Sequence, residues 1–268
     1  MAKRARLDAE LVRRGLARSR VQAADLIAAG QVVVAGQAAS KAATQVGQDV
    51  AIMVQRDDAG PEYASRGGHK LAGALASFAD HGLEVTGRRC LDAGASTGGF
   101  TDVLLRAGAV HVVAVDVGYG QLAWNLRSDP RVTVLDRVNV RSLQPDQVAP
   151  APELVTADLS FISLAQVLPA LAACAAPDAD FVLLVKPQFE VGKGNVGAGG
   201  VVRDPELRAG AVAAVASAAR QLGLGVRGVT ASPLPGPSGN VEYFLWLRAG
   251  APPLDDEVLR TAVAQGPQ

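Results

Sequence analysis

The chain has 268 residues, 49% of them hydrophobic, and its 26 basic and 26 acidic side chains cancel. That length supports one full α/β domain with a small companion, and no apolar run approaches the roughly 20 residues that a membrane-spanning helix needs. The basic start, MAKRARLDAELVRRG, has no apolar stretch ahead of a small-residue cleavage site, so no secretory signal is expected and a cytoplasmic location is. Cys90 and Cys174 have neither CxxC spacing nor nearby histidines, which argues against a metal site and a disulfide framework and for buried thiols. Charge is uneven along the chain: residues 1–50 carry eight Lys or Arg against four acids, a net of +4, and the remainder is −4. A basic end on an otherwise acidic chain suits an anionic partner, nucleic acid first and membrane surface second, with a solvated helix face as the plain alternative.

In chain order, RLDAELVRRGLARSRVQAADLIAAG predicts two short helices. Ser19 and Gln22 make a capping-box pattern and Gly30 follows the last apolar turn, so the second helix should run from about Arg20 to Ala29. Val32 and Val34 alternate before an Ala35-Gly36 turn, and VGQDVAIMV adds a further strand-like run. This order of helix, Arg-Ser-Arg turn, helix and Gly-x-Val-x-Val-x-Gly resembles the S4 RNA-binding domain over roughly residues 5–55. The resemblance implies a basic helical pair presented to structured RNA, with Arg4, Arg6, Arg13, Arg14, Arg18, Arg20 and Lys41 as the contacts. Gly60-Pro61 breaks the polar stretch QRDDAGPEYAS, which divides the chain into an S4-like domain at 1–59, a linker at 60–65 and a second domain at 66–268.

In the second domain, strand-like runs alternate with Ala-rich amphipathic segments: RRCLDAGA, HVVAVDV, VTVLDR, ELVTADL, FVLLVKP, GVRGVTASP and NVEYFLWLR. The alternation predicts a doubly wound, Rossmann-like α/β fold, mainly parallel and covered on both faces. The turn in LDAGASTGGF puts backbone N–H groups and a helix start at the sheet's carboxyl edge, where nucleotide cofactors sit. NAD would need G-x-G-x-x-G, but Ala95 and Ser96 follow Gly94; a P-loop fails because Gly98-Gly99 precede Phe100. The run GKGNVGAGG at 192–200 has no Ser or Thr after Lys193 and reads as a mobile substrate loop. What remains is S-adenosylmethionine. Asp92, Gly94 and Gly98 fit the Asp/Glu-x-Gly-x-x-x-Gly turn of its methyltransferases, and Asp116, closing the second strand, can accept from both ribose hydroxyls. Asp136 and Asn139, after the third strand, stand where the adenine edge would come, with helix capping as the equal alternative.

Three more polar residues end strands in the back half: Asp158, Lys186 and Glu242. In the usual methyltransferase topology the fourth, fifth and seventh strands are neighbours and the seventh is antiparallel, so all three converge beside the cofactor's methyl group. Lys70, at the start of the helix before the first strand, can fold over the same edge. Singly, each is read as readily as a strand-end cap or a surface charge. Lys-Asp-Lys-Glu in this order is the tetrad of ribose 2'-O-methyltransferases. A ribose hydroxyl is a weak acid and a poor nucleophile, so a base must take its proton as it attacks the methyl group in line. Lys186 is expected to accept or orient that proton and Lys70 to steer the ribose.

SRGGHKL, LDAGASTGGFT, DVGYGQL, ADLSFISL, LVKPQFE and GPSGNVEYFLWL together resemble the TlyA family across nearly the whole chain. The resemblance implies an S-adenosylmethionine-dependent 2'-O-methyltransferase acting on cytidines of 23S and, for members with the longer N-terminus, also 16S ribosomal RNA, with a link to sensitivity to capreomycin-type antibiotics. It implies a class I, FtsJ-like domain with an antiparallel seventh strand and ribosomal RNA of the 30S and 50S subunits as partner. A monomer is the default for an enzyme that must dock on a ribosomal surface, and no protein partner or membrane is expected. Residue by residue it carries over Lys70, Asp158, Lys186 and Glu242 as the tetrad, and Gly94, Ser96, Thr97, Gly98 and Asp116 as the cofactor turn. His69 and Ala64 depart from the family's pattern, and the linker has no Trp; His69 is expected to pack or lie at the surface. Two rival readings are a docking factor without catalysis and a membrane-active hemolysin. The intact tetrad opposes the first. Ala-rich helices and 4% aromatic content leave little apolar area to drive the second.

Overall fold

The computed structural model describes residues 4–17, 19–47, 50–54 and 62–267, and the chain divides into two compact units, Met1–Glu62 and Tyr63–Gln268. In the first unit, helices span Leu7–Arg13 and Arg20–Ala28. The second starts as its sequence predicts: Ser19 Oγ accepts from the Gln22 N–H at 3.1 Å. It ends with Gly30 at φ +71 and bonds from Gly30 N to Ile27 O and Gln31 N to Leu26 O, which satisfy carbonyls the helix leaves open. Ala35 and Gly36, at φ +49 and +81, turn Val32–Val34 into Gln37–Ala38; both positive values match the tight turn that suits a twisted hairpin. Ile52–Val54 flanks Val32–Val34, and a strand the sequence did not announce, Arg4–Arg6, pairs with Gln45–Gly47. Leu7, Leu11, Ala23, Ile27, Val32 and Val46 form this unit's core.

All seven strand-like runs of the second domain are strands: β1 Arg89–Ala93, β2 His111–Asp116, β3 Val132–Asp136, β4 Leu154–Ala157, β5 Asp180–Val185, β6 Leu224–Ala231 and β7 Tyr243–Ala249. They form one sheet in the order β6-β7-β5-β4-β1-β2-β3, with β7 antiparallel to β5 and β6 and the other neighbours parallel. The helices are α1 Gly67–Ala79, α2 Gly99–Arg106, α3 Trp124–Arg127, α4 Leu164–Cys174, α5 Pro187–Glu190, α6 Pro205–Gln221 and α7 Asp256–Ala264. Successive strand residues point to opposite faces, so β5 feeds two cores at once. Phe181, Leu183 and Val185 join α4, α6 and α7 residues such as Leu168, Val212 and Leu259, whereas Val182 and Leu184 join Leu71 and Phe78 of α1 and Leu104 of α2. A strand buried on both faces has no room for polar alternation, which explains the unbroken apolar run FVLLV.

Tyr63, Ala64 and Ser65, read above as the end of the linker, belong to the second unit. Ala64 N donates to Asp102 Oδ2 at 2.8 Å, and Tyr63 stacks edge-on against His69 at 5.0 Å, under the Arg106 guanidinium. That contact accounts for His69 as a packing residue. Gly60 and Pro61 lie outside the described residues. Cys90 and Cys174 are free, buried thiols. Among the described residues no helix is long and apolar enough to cross a membrane.

Candidate functional site

The turn after β1 is built from small residues because other backbone comes too close for anything else. Gly94 sits at φ +86, and a Cβ there would lie 2.4 Å from the Asp158 carbonyl oxygen, so the β1 and β4 ends could not stay together. Gly98, at φ +98, has Leu126 2.3 Å from where a Cβ would stand, and α2 begins at the next residue. Asp116 then ties this turn to the one after β2. Its Oδ2 accepts from Ser96 N at 2.8 Å and its Oδ1 from Gly118 N at 2.7 Å. Each carboxylate oxygen accepts more than one bond, so capacity remains for two ribose hydroxyls. Ser96 and Thr97 line the outer side of the turn, and Val117, 71% exposed beside Asp116, offers an apolar face to a flat base. This donor set suits S-adenosylmethionine.

Other residues expected at the cofactor are differently employed. Asp92 is fully buried beneath the turn, where Thr101 Oγ1 donates to it at 2.7 Å and Thr156 Oγ1 lies at 3.5 Å. It therefore braces β1 against α2 and β4 and does not reach a ligand. Burial pushes its carboxyl up to about 7, and nearby Asp158 adds to the rise. Asp136 pairs with Arg127 at 2.8 Å and accepts from Gly120 N at 3.3 Å. Asn139 caps the short helical turn Val140–Ser142, its Oδ1 accepting from Arg141 N at 3.0 Å. Capping was the open alternative for Asn139, and it is what the chain does with that side chain.

The four tetrad positions meet as two ion pairs. Lys70 Nζ lies 2.5 Å from Glu242 Oε2, and Lys186 Nζ lies 2.5 Å from Asp158 Oδ1 and 3.1 Å from Ser160 Oγ. The sheet register explains the convergence. β5 and β7 pair through Val185 and Tyr243, so the next residues out, Lys186 and Glu242, end the same rung of the ladder. Asp158 N bonds to Ala93 O at 3.0 Å, which holds the β4 end against the cofactor turn. Both lysines and Glu242 are buried, while Asp158 is partly open. Glu242 Oε1 has no hydrogen-bond donor among the described residues, an unusual state for a buried carboxylate oxygen. The arrangement holds two ammonium groups at one sheet edge, each against a carboxylate, with acceptor capacity unused.

The residue that sequence reasoning missed is Phe161. It follows Ser160 directly, is 91% exposed, adopts a left-handed backbone at φ +64, and has its ring 5.3 Å from that of Phe189. Its one signal in the sequence is an aromatic amid ADLSFISL, off any helical or strand period.

The basic cluster of the first unit is only partly a free surface. Buried Asp8 receives Arg6 at 3.0 Å and Arg20 at 2.9 Å; buried Glu10 receives Arg13 at 2.5 Å and Arg14 at 2.7 Å. Hydrogen bonding from Arg6 above all holds Asp8 well below the usual carboxylate range, and Arg13 and then Arg14 bring Glu10 down to about 2. Arg14 also donates to Val50 O at 2.7 Å and Gly47 O at 3.3 Å, which makes it a cross-tie of the fold. Arg4, Arg6, Arg13, Arg20 and Lys41 remain exposed, and Arg18 lies outside the described residues.

Residues 63–249 match the FtsJ-like methyltransferase family and residues 5–52 the S4 domain. The chain is 63% identical over 273 aligned residues, covering all of both chains, to the 16S/23S rRNA (cytidine-2'-O)-methyltransferase TlyA of Mycobacterium tuberculosis. It is 42% identical over 247 residues, 92% of this chain and 86% of the relative, to YqxC of Bacillus subtilis, described as a candidate rRNA methyltransferase. A solved structure from Streptococcus thermophilus, described as a candidate hemolysin, is 37% identical and superposes with a TM-score of 0.78 over 99% of this chain and 96% of that one. The chain thus belongs to the FtsJ-like methyltransferases, enzymes that use S-adenosylmethionine, and carries an S4 domain ahead of the methyltransferase fold.

Proposed function

We propose that the protein methylates the 2'-hydroxyl of cytidines in ribosomal RNA, in the 23S and the 16S species, docking through its first unit as a cytoplasmic monomer with no protein or membrane partner. The observation that carries this reading is the pair of lysine–carboxylate contacts, Lys70 with Glu242 and Lys186 with Asp158, at the sheet edge that also bears Asp116. S-adenosylmethionine, when bound, supplies an electrophilic methyl group.

Lys186 has three N–H positions, of which Asp158 and Ser160 engage two. The third serves to orient the acceptor hydroxyl, and the neutral form of the same amine can take its proton during attack. Asp158, 2.5 Å from Lys186 Nζ, is positioned to steady the ammonium once it forms. Glu242 holds Lys70 in place and has Oε1 in reserve for a hydroxyl donor. Help of this kind from a general base is worth roughly 10²- to 10⁴-fold in rate. Phe161, next in sequence to the Ser160 that Lys186 bonds, presents an open aromatic face, and single-stranded bases stack readily on such faces. Arg4, Arg6, Arg13, Arg20 and Lys41 supply positive charge for phosphates in the first unit.

Separated 30S and 50S subunits lacking the modification, incubated with labelled S-adenosylmethionine, test the reading. Label recovered in 2'-O-methylcytidine after digestion is the expected result, and the labelled subunit names the substrate. Binding of the cofactor with no label in either subunit would overturn it.

A further inference from the structure

The Gly-rich run 192–200 is an exposed segment whose own hydrogen bonds are local, such as Asn195 N to Gly192 O and Gly200 N to Gly197 O. Its two feet are held differently, by buried or half-buried polar side chains from elsewhere in the fold. At the entry, Glu190 accepts from Ser163 Oγ at 2.5 Å and Leu164 N at 2.8 Å, which fixes the loop's start to the head of α4. At the exit, the Asn240 amide uses both ends. Oδ1 accepts from Val202 N at 2.9 Å, and Nδ2 donates to Gly200 O at 2.8 Å.

Asn240 is 1% exposed and stands two residues before Glu242, and its own carbonyl accepts from Gly236 N at 2.8 Å. Gly236 in turn packs so closely on Glu242 that a Cβ there would lie 2.5 Å from Oε1. One buried amide therefore joins the loop exit to the strand start that carries a tetrad carboxylate. The loop entry follows Lys186 through α5 and its exit leads into α6, so it is the Asn240 amide that ties the loop after the Lys186 strand end to the strand start beside Glu242. An amide buried to this degree and spent wholly on loop backbone is a costly device for a loop that only links two elements.

We propose that Asn240 is a positioning residue for the acceptor RNA: it clamps the exit of loop 192–200 so that the loop's exposed backbone stands ready at the edge where the acceptor nucleotide must bind. The proposal rests on the methyl-transfer reading above and adds a specificity element to it. The clamp acts on binding of the acceptor and not on the chemical step, because the side-chain bonds of Asn240 go to Val202 N and Gly200 O and to none of the four tetrad side chains.

The test compares wild type with Asn240→Ala and Gly200→Ala, in the full chain, by three readouts: steady-state methyl transfer to unmodified ribosomal subunits, calorimetric affinity for S-adenosylmethionine, and the rate of tryptic cleavage at Arg203. Gly200 is at φ +77 in open space, so a methyl group there disturbs the loop backbone without entering the core. Loss of the clamp should raise KM for the subunits about tenfold, with kcat and cofactor affinity within about twofold, and should speed cleavage at Arg203. Unchanged KM and cleavage in both variants, or a fall in kcat at unchanged KM, would overturn the proposal. Should Asn240→Ala not fold, Gly200→Ala decides by the same measures. Absence of methyl transfer by the wild type would instead count against the functional reading, while the cleavage rates would still report on the clamp.

Discussion

The two ends of β5 carry similar chemistry put to opposite uses. At its start, Asp180 is fully buried and saturated: Arg88 donates at 2.6 Å, Arg248 lies at 3.3 Å and the Trp246 indole donates at 2.7 Å. Just past its other end, Lys186 pairs with a partly open Asp158, and its neighbour Glu242 leaves one buried oxygen without a donor. A network that serves only the fold satisfies every group, since an unpaired buried group costs on the order of 1 to 3 kcal/mol. A network meant to meet a substrate keeps bonds in hand and forgoes some stability for them. On this basis the Asp180 end is structural, and the Lys186 end is the one the proposed methyl transfer would use.

The largest effect expected from breaking this contrast is at Lys186. Lys186→Ala should lower kcat by roughly 10²- to 10⁴-fold, leave cofactor affinity within about twofold, and leave the unfolding midpoint nearly unmoved. A melting temperature that falls in step with activity would place Lys186 with the structural group. Asp180→Ala should behave in the opposite way. Removing one partner of a buried charge network costs about 3 to 5 kcal/mol, so denaturant unfolding should shift strongly while the folded fraction keeps its kcat.

Asp92 sharpens the comparison by pH, because it is buried and yet still titrates near neutrality. Its carboxyl is raised to about 7 in the fold from 3.8 in the open chain, so between those values the unfolded state has lost the proton and the native state has kept it. Its contribution to stability is therefore intact below about pH 4 and is lost as pH rises toward 7, by on the order of 1 kcal/mol per pH unit. Both tryptophans, Trp124 and Trp246, lie in the second unit, so their fluorescence reports its unfolding. Asp92→Asn should gain on wild type across that window; parallel pH curves would refute it. Glu10, lowered to about 2 from 4.5, has the reverse sign: its share of first-unit stability is present above about pH 4.5 and fades as pH falls toward 2. The smallest effect is expected at the exposed Arg131–Asp129 pair, 2.8 Å apart. Asp129→Ala should cost less than about 1 kcal/mol, because solvent already screens such pairs.

Much of this was legible in the residues. Unbroken apolar runs such as FVLLV and the small-residue turn LDAGASTGGF announced buried strands and a cofactor loop, and polar residues ending those strands located Asp116, Asp158 and Lys186. These are short-range signals, set by the two-residue strand period and by where a buried run must stop. The strand Arg4–Arg6 escaped notice because three residues carry no period. Which arginines of the basic cluster are tied down was not legible, because Arg6, Arg13, Arg14 and Arg20 look free until the fold brings Asp8 and Glu10 beneath them.

By itself, then, the sequence determined the seven strands, the glycine turn and the identity of the four tetrad side chains, since local sterics and the burial of each run settle those. Only the tertiary structure decided that Lys70 meets Glu242 across 172 residues, that Asp92 braces the turn from below, and that Asn240 clamps a loop 40 residues before it. Those pairings depend on which strands lie side by side. Strand order is set by the packing of the whole sheet and its covering helices, which no single segment encodes.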